Sequence, residues 1–457
     1  MLKWKFAVLA CVACSLFFAP SLSAAGKPSG QGSQASPFVL PIARRDSLLN
    51  GLQLLVIEQS GAGSVKLHLR VNSGSLFDLA GKGGLADLTA GMLLRGGGGL
   101  TAKNVSDTVE QLGLSVRVTV GWDSTDIVIG GPSNDLESMF DLLSRLIVTP
   151  TFDQKELDAL KAQRINAVKE EAADKNESLR RKALEAVYGS HPYGRPLAGT
   201  ADSLTQISRT DILNYYSRFY IANNAQLLVE GDTAAEQVTR LARARLGAWK
   251  KGDVVPPNFR RTEPVAGSRV LLLDRAEASD GHAVLALMGV SRRAADYFAG
   301  LMAVDIFNQL LAQANLGATA RLEARVLAGP LTVEVNAPAE RLIENVKNVT
   351  NLMARLQTAP PALEQVEAAK SRLLAAMAER LRNNATHGDV LLDIETYGLG
   401  RDYLLHYADR VNAVTPADIQ AAARTYLKPD SLIIAISGPA AKLEADAKRL
   451  GTVMVIR

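Results

Sequence analysis

Few residues in this chain could carry chemistry on their own. The five histidines, His68, His191, His282, His387 and His406, include no pair at the four-residue spacing that puts two imidazoles on one helical face. His68, within Lys66-Leu-His-Leu-Arg70, is expected on the polar face of a strand, and His191 reads as a loop former rather than a metal ligand. The only cysteines, Cys11 and Cys14, lie in an N-terminal segment that is itself a candidate for removal. Gly96 to Gly99 has no following Lys-Ser/Thr and so is no phosphate loop, and there is no Gly-x-Ser-x-Gly nucleophile elbow. Two charged pairs remain. Glu170 and Glu171 lie in a charged helical region, and Arg321 and Arg325 are four apart, on one face of a predicted helix, with Glu323 in reach of a surface ion pair.

The most informative stretch is one whose chemical residues are missing, Gly83-Gly84-Leu85-Ala86-Asp87-Leu88-Thr89-Ala90-Gly91-Met92-Leu93-Leu94-Arg95-Gly96. Its Gly-Leu-Ala opening and Met-Leu-x-x-Gly ending resemble the motif helix of the insulinase/pitrilysin family of metallopeptidases. Three further elements resemble the family in the same order. They are Asn50-Gly51-Leu52, the loop His191-Pro192-Tyr193-Gly194 followed by Gly199-Thr200, and Tyr220 to Asp232. In that family the helix carries His-x-x-Glu-His, two zinc ligands and a Glu that polarises the metal-bound water. In register, this chain has Asp87, Ala90 and Gly91. One oxygen ligand is left, without imidazole or base, and a lone carboxylate cannot make the three-ligand site of a catalytic zinc.

The resemblance implies further positions. The family's third zinc ligand, a Glu one long helix downstream, falls by spacing near Val168. Glu170 and Glu171 stand close enough for a small insertion to bring either into place, and both also read as solvated helix charges. From its second half the family supplies an Arg and a Tyr that hold substrate backbone. The matching positions are Arg321 and Arg325, while the Tyr position holds Thr332 or Val333. Leu114 to Val120 matches the strand whose edge pairs with extended peptide, an ability that needs only backbone groups. An internally paired strand is the other reading.

The elements that would position these residues repeat. Ile207 to Gly231 lies on Val414 to Gly438 without a gap, Asp211 on Asp418, Ile212 on Ile419 and Gly231 on Gly438. Each copy has a short polar cap candidate, Ser208 or Thr415, then a helical stretch and an apolar strand that ends at the glycine. The expected fold is α+β, two homologous insulinase-like domains, each an antiparallel-rich sheet packed with helices. Residues 38–246 and 268–457 form the domains, and 247–267, broken by Pro256, Pro257 and Pro264, is the linker. Gln154 to Tyr188 reads as one long charged helical region.

Residues 1–25 read as a signal peptide. Lys3 and Lys5 precede the apolar run Phe6 to Phe18, and Ser23-Ala24-Ala25 offers a cleavage site. Residues 26–37 then form a flexible leader rich in Gly, Ser and Gln. Removal of the signal leaves a cysteine-free chain and takes two positive charges and no acid, so the formal net charge of +4 becomes +2 and gives nucleic-acid binding no support. Attachment of a lipid at Cys11 or Cys14 is an alternative for which no good lipobox is present. A periplasmic or secreted location follows, with no membrane span after cleavage. The expected role is a non-catalytic subunit that binds neither zinc nor another cofactor and joins a catalytic, zinc-bearing paralogue in a hetero-oligomer enclosing peptides. Two alternatives stay open: a peptide-binding or scaffold protein without such a partner, and a divergent metallopeptidase using Asp87 with Glu170 or Glu171.

Overall fold

The computed structural model describes Phe38 and residues 42–259, 265–275, 280–383 and 386–456. The signal peptide, the leader, both cysteines and part of the linker lie outside the described residues. Among those described, no helix is long and apolar enough to cross a membrane.

The N-terminal half contains strands β1 (Arg44–Ser47), β2 (Gln53–Glu58), β3 (Ser64–Val71), β4 (Gly96–Gly97), β5 (Leu100–Thr101), β6 (Ser115–Val120), β7 (Thr125–Pro132) and β8 (Ala225–Gly231). Apart from the short β4–β5 hairpin they form one sheet, in the order β1-β2-β8-β3-β7-β6. Its helices are α1 (Leu85–Leu93), α2 (Ala102–Gln111), α3 (Leu136–Val148), α4 (Gln154–Ala173), α5 (Lys175–Tyr188), α6 (Ala201–Thr205), α7 (Arg209–Phe219) and α8 (Ala235–Leu246). The C-terminal half has β9 (Arg269–Asp274), β10 (Asp280–Met288), β11 (Ala318–Leu322), β12 (Pro330–Pro338), β13 (Ile433–Gly438) and β14 (Thr452–Ile456), in the order β11-β12-β10-β13-β9-β14. Its helices are α9 (Tyr297–Gln313), α10 (Ala339–Thr358), α11 (Leu363–Arg382), α12 (His387–Thr396), α13 (Tyr407–Asn412), α14 (Pro416–Tyr426) and α15 (Ala440–Ala447).

The duplication is plain in the pairing. In each half an early strand runs parallel to the strand that ends at the repeated glycine, Glu58 opposite Gly231 and Asp274 opposite Gly438; β14 also runs parallel to β9, and the other pairings are antiparallel. The two repeated stretches fall on equivalent units, α7 with β8 and α14 with β13. Both helices open with a capping box, Ser208 with Asp211 and Thr415 with Asp418. The α+β fold of two homologous halves is as expected. The expectation of one long helix fails. The region Gln154 to Tyr188 is two helices, because the Asp174 side chain accepts from the amides of Asn176 and Glu177 and starts a new helix.

Strand β2 is buried at four successive positions and β8 at all seven, which requires cover on both sheet faces. Leu54, Val56, Leu227 and Val229 point into their own half's core. Leu55, Ile57 and Leu228 point the other way, into the core of the C-terminal half beneath α12. The exchange is reciprocal: α5 sends Leu179, Ala183, Leu184 and Val187 onto Val284, Ala286, Ile433 and Ala435 of the second sheet. Each half thus lends one helix to the other.

The two loans differ in chemistry. The α5 seam is apolar, whereas α12 adds a set of charged contacts to its apolar ones. His68 lies on the polar face of β3 with Lys66 and Arg70, and His68 and Arg70 are buried there. The His68 Nε2 lies 2.7 Å from Asp126, which also accepts from Arg70 at 2.6 Å, and Arg70 donates to Asp393 of α12 at 2.8 Å. His387 of α12 lies 3.1 Å from Glu230, itself 3.2 Å from Lys66. Burial works against ionised Asp126 and Glu230, but His68 with Arg70, and His387 with Lys66, hold both carboxyls below their ordinary range. A depressed carboxyl stabilises the fold above its unfolded pKa, near 4, and that contribution is lost as the pH falls through the folded value. Acid is therefore expected to release α12 first. Hydrogen exchange should show the amides of Val390 to Ile394 losing protection below about pH 4 while those of Leu184 to Tyr188 stay protected.

Candidate functional site

Helix α1 starts at Gly84, held at φ +88°, where a Cβ would meet the carbonyl oxygen of Ala198 at 2.5 Å. Its first turn is satisfied by Asp78, whose carboxylate accepts from the amides of Gly84 at 2.7 Å and Ala86 at 2.8 Å. Burial pushes the pKa of Asp78 up to about 7 against those two bonds. The remainder of the helix packs Leu85, Leu88, Met92 and Leu93 into the core and runs beside β6 and α4.

The three motif positions sit on this helix as follows. Asp87 meets Arg164 of α4, its Oδ2 2.8 Å from Nε and its Oδ1 accepting from Nη2 at 3.3 Å. Burial raises the Asp87 pKa, and Arg164 opposes the rise. Ala90 is wholly buried. Gly91 faces Leu160 of α4, whose Cδ2 would lie 3.0 Å from any Cβ added there. The α4 face turned toward α1 carries Leu157, Leu160, Arg164 and Val168, so the third-ligand position is a buried valine. Glu170 and Glu171 are exposed, on other faces of α4. Among the described residues, no three His, Cys, Asp or Glu side chains stand where they could share a metal ion. A catalytic zinc does not fit these donors: the single carboxylate is already neutralised by a guanidinium, and aliphatic carbon fills the other positions.

Replacing Arg164 by leucine is expected to leave Asp87 without its counter-charge, at a cost of about 1–2 kcal/mol after allowance for solvent screening, since the Arg164 side chain is 36% exposed. Because the unpaired carboxyl would then have a raised pKa, the loss should be greater at pH 8 than at pH 5 in chemical denaturation.

The other expected site residues are not brought together. Arg321 is exposed on strand β11, and Arg325 lies buried in the loop after it. The predicted shared helical face does not exist, because Ala318–Leu322 pairs with β12 as an edge strand and leaves no helix to carry the four-residue spacing. Thr332 and Val333 are buried within β12. Arg325 does meet Glu323, at 2.6 Å, with the arginine buried and the glutamate half-buried. Its guanidinium lies 4.5 Å over the ring of Trp122 and 4.7 Å over that of Tyr193.

Those rings belong to a clamp the sequence left unnoticed. Tyr193, fully buried in the His-Pro-Tyr-Gly loop, donates to Asp123 at 2.6 Å, and Asp123 accepts the Val326 amide of the other half at 2.8 Å. The Leu327 amide donates to the Tyr193 hydroxyl at 3.3 Å. His191 caps this loop by accepting the Tyr193 amide at 3.2 Å, in line with its expected role. Trp122 and Asp123, in the turn between two strands, gave no signal beyond an aromatic beside an acid.

Strand β6 closes the first sheet, paired on one side with β7, and among the described residues its outer edge carries no strand. The strand runs beside α1, and strand addition would use only the backbone groups of its outer edge.

Comparison with known proteins agrees with this architecture. The sequence model described as insulinase (peptidase family M16) matches residues 54–201, and that described as the peptidase M16 inactive domain matches residues 206–373. An uncharacterized zinc protease, ML0855, of Mycobacterium leprae is 24% identical over 53% of this chain and 54% of its own. The mitochondrial-processing peptidase subunit beta of Saccharomyces cerevisiae is 23% identical over 57% of both chains. A non-peptidase homolog, YmxG, of Helicobacter pylori is 21% identical over 46% of this chain and 49% of its own. The chain spans about half the length of the curated relatives it matches. Among solved structures, a peptidase M16 inactive domain from Pseudomonas fluorescens superposes with a TM-score of 0.77 at 21% identity, covering 87% of this chain and 98% of that one. The paired sheets, the motif helix and the two matched models together place the chain in the M16 insulinase peptidase family.

Proposed function

We propose that this chain is a non-catalytic member of its family that works as the partner subunit of a zinc-bearing paralogue. The observation that carries the proposal is the Asp87–Arg164 ion pair, with Ala90 and with Gly91 against Leu160, in the place of two imidazoles and a general base. A scaffold kept without its chemistry is useful as a wall. In this reading the pair of chains encloses a chamber, zinc resides in the paralogue, and the free edge of β6 holds extended peptide by backbone bonds. The apolar N-terminal run and the cysteine-free remainder of the chain support export to the periplasm or beyond.

Co-expression with a paralogue that carries His-x-x-Glu-His tests this. Co-elution, with peptidase activity well above that of the paralogue alone and abolished by chelator, is the expected result. Separate elution with unchanged activity would reject the partner role. If the isolated chain then still bound extended peptide, and lost it on substitution of proline into β6, the free β6 edge would favour the peptide-binding reading instead.

A further inference from the structure

Each half has a pocket at the same place in its fold, between the start of its first helix and its cap-box helix. In the N-terminal half it is a cavity of 1440 Å³ bordered by Leu85, Asp211 and Tyr215. In the C-terminal half it is one of 800 Å³ bordered by Tyr297, Asp418 and Ala422. At the first pocket the start of α1 already has an internal anion, the Asp78 carboxylate on the amides of Gly84 and Ala86.

At the second pocket no side chain caps the start of α9. The segment leading into α9 supplies Arg292 and Arg293. Asp296, at the helix N-cap, makes no side-chain bond to the helix and instead accepts from Tyr426 at 2.9 Å. Arg292 lies 4.2 Å over Tyr297 and 5.2 Å over Tyr403, and it donates to the Tyr403 hydroxyl at 2.8 Å. Its Nη1 is buried with no hydrogen-bond partner among the described residues. Arg410, exposed on α13, stands 5.3 Å from the same Tyr403 ring. Two guanidiniums are therefore held within about 10.5 Å of each other on one phenol. The acids nearby are engaged elsewhere. Asp393 binds Arg70 and Arg380, Asp418 accepts from Thr415, and Asp296 is held by Tyr426.

We propose that this pocket binds an oxyanion, a carboxylate or a phosphate, carried on an apolar or aromatic body. The planar fork of Arg292, with its Nη1 unpaired among the described residues, suits a charge-assisted contact with such a group, and Arg410 in the lining of the same cavity adds a second positive charge. Tyr297, Phe298 and Tyr403 give the cavity an aromatic wall for an apolar body to pack against, and 800 Å³ suits a small ligand or the last residues of a peptide. The open first turn of α9 adds its positive end, but the arginines carry the argument. Neither the family's metal site nor the partner role enters this inference.

Isothermal titration of the full chain tests it, with phenyl phosphate, inorganic phosphate, and a short acetylated peptide ending in phenylalanine, prepared as free acid and as amide. Binding of one phenyl phosphate or one free-acid peptide per chain is expected, with the amide much weaker. The probe that binds more tightly identifies the oxyanion, and inorganic phosphate alone should bind more weakly than either. Arg410→Gln, on an exposed helix, should keep the parent melting temperature and weaken binding by about tenfold, the loss of one charge-assisted contact. Arg292→Lys keeps the charge but loses the fork and should weaken it as well, while Arg195→Gln, at the N-terminal pocket, should not. Failure of both anionic probes to bind, or equal binding to Arg410→Gln, would overturn the proposal.

Discussion

Replacing Tyr193 by alanine is expected to lower the free energy of unfolding by about 3–5 kcal/mol. The ring is wholly buried, edge-on to Trp122 at 5.5 Å and to Tyr188 at 5.9 Å, with the Arg325 guanidinium 4.7 Å above it. Truncation leaves a cavity at the seam, strands the Asp123 carboxylate without its 2.6 Å donor, and takes one face from the arginine. Tyr193→Phe separates these contributions. It keeps the packing and loses only the hydroxyl, so about 1–3 kcal/mol should go, the cost of an unsatisfied buried acceptor. Burial already raises the Asp123 pKa, and Tyr193 and the Val326 amide hold that rise in check. Without the hydroxyl the pKa should rise further, so the Phe variant should lose more stability at pH 8 than at pH 5. Denaturant titrations of the three proteins at both pH values check both statements. A loss below about 1 kcal/mol for the alanine variant would mean that the halves are not held together here.

That clamp also marks where the sequence stopped being informative. The halves were legible because their signals are local: a cap residue, an apolar stretch and a glycine recur together at 208–231 and 415–438. The motif helix was legible because the glycines and leucines that frame it remain. The exchange of α5 and α12 was not. Leu55, Ile57 and Leu228 announce that the outer face of their sheet is covered, but nothing in a strand's pattern says which distant helix covers it. The break at Asp174 had a signal, an Asp followed by Glu177 three residues on, and the charged composition around it hid the cap. Arg321 and Arg325 misled because spacing four apart is meaningful only on a helix, and Ala318–Leu322 is short enough to read either way. Arg164 could not be found at all, since an arginine on a charged helix becomes a site residue only through what it faces.

Rebuilding the motif as Asp87→His, Ala90→Glu and Gly91→His is expected to yield no stoichiometric zinc, for reasons that lie mostly on the facing helix. Any side chain at position 91 starts 3.0 Å from the Cδ2 of Leu160, so the Leu160 side chain must give way before the new imidazole can face the site. A glutamate at position 90 enters a place that is now wholly buried, at about 3–5 kcal/mol for a charge without a partner. Arg164, deprived of Asp87, would point a cation at the very space the metal needs. Val168 supplies no third ligand. Three further substitutions address these obstacles, Leu160→Ala for space, Arg164→Ala for charge and Val168→Glu for the missing carboxylate. The six-fold variant completes two imidazoles and a carboxylate, the ligand set of an open catalytic zinc site. Elemental analysis after dialysis should find close to one zinc per chain in the six-fold variant and only trace metal in the triple one. Stoichiometric zinc in the triple variant would show that α4 yields more readily than its packing implies, and that the loss of ligands on α1 alone had emptied the site.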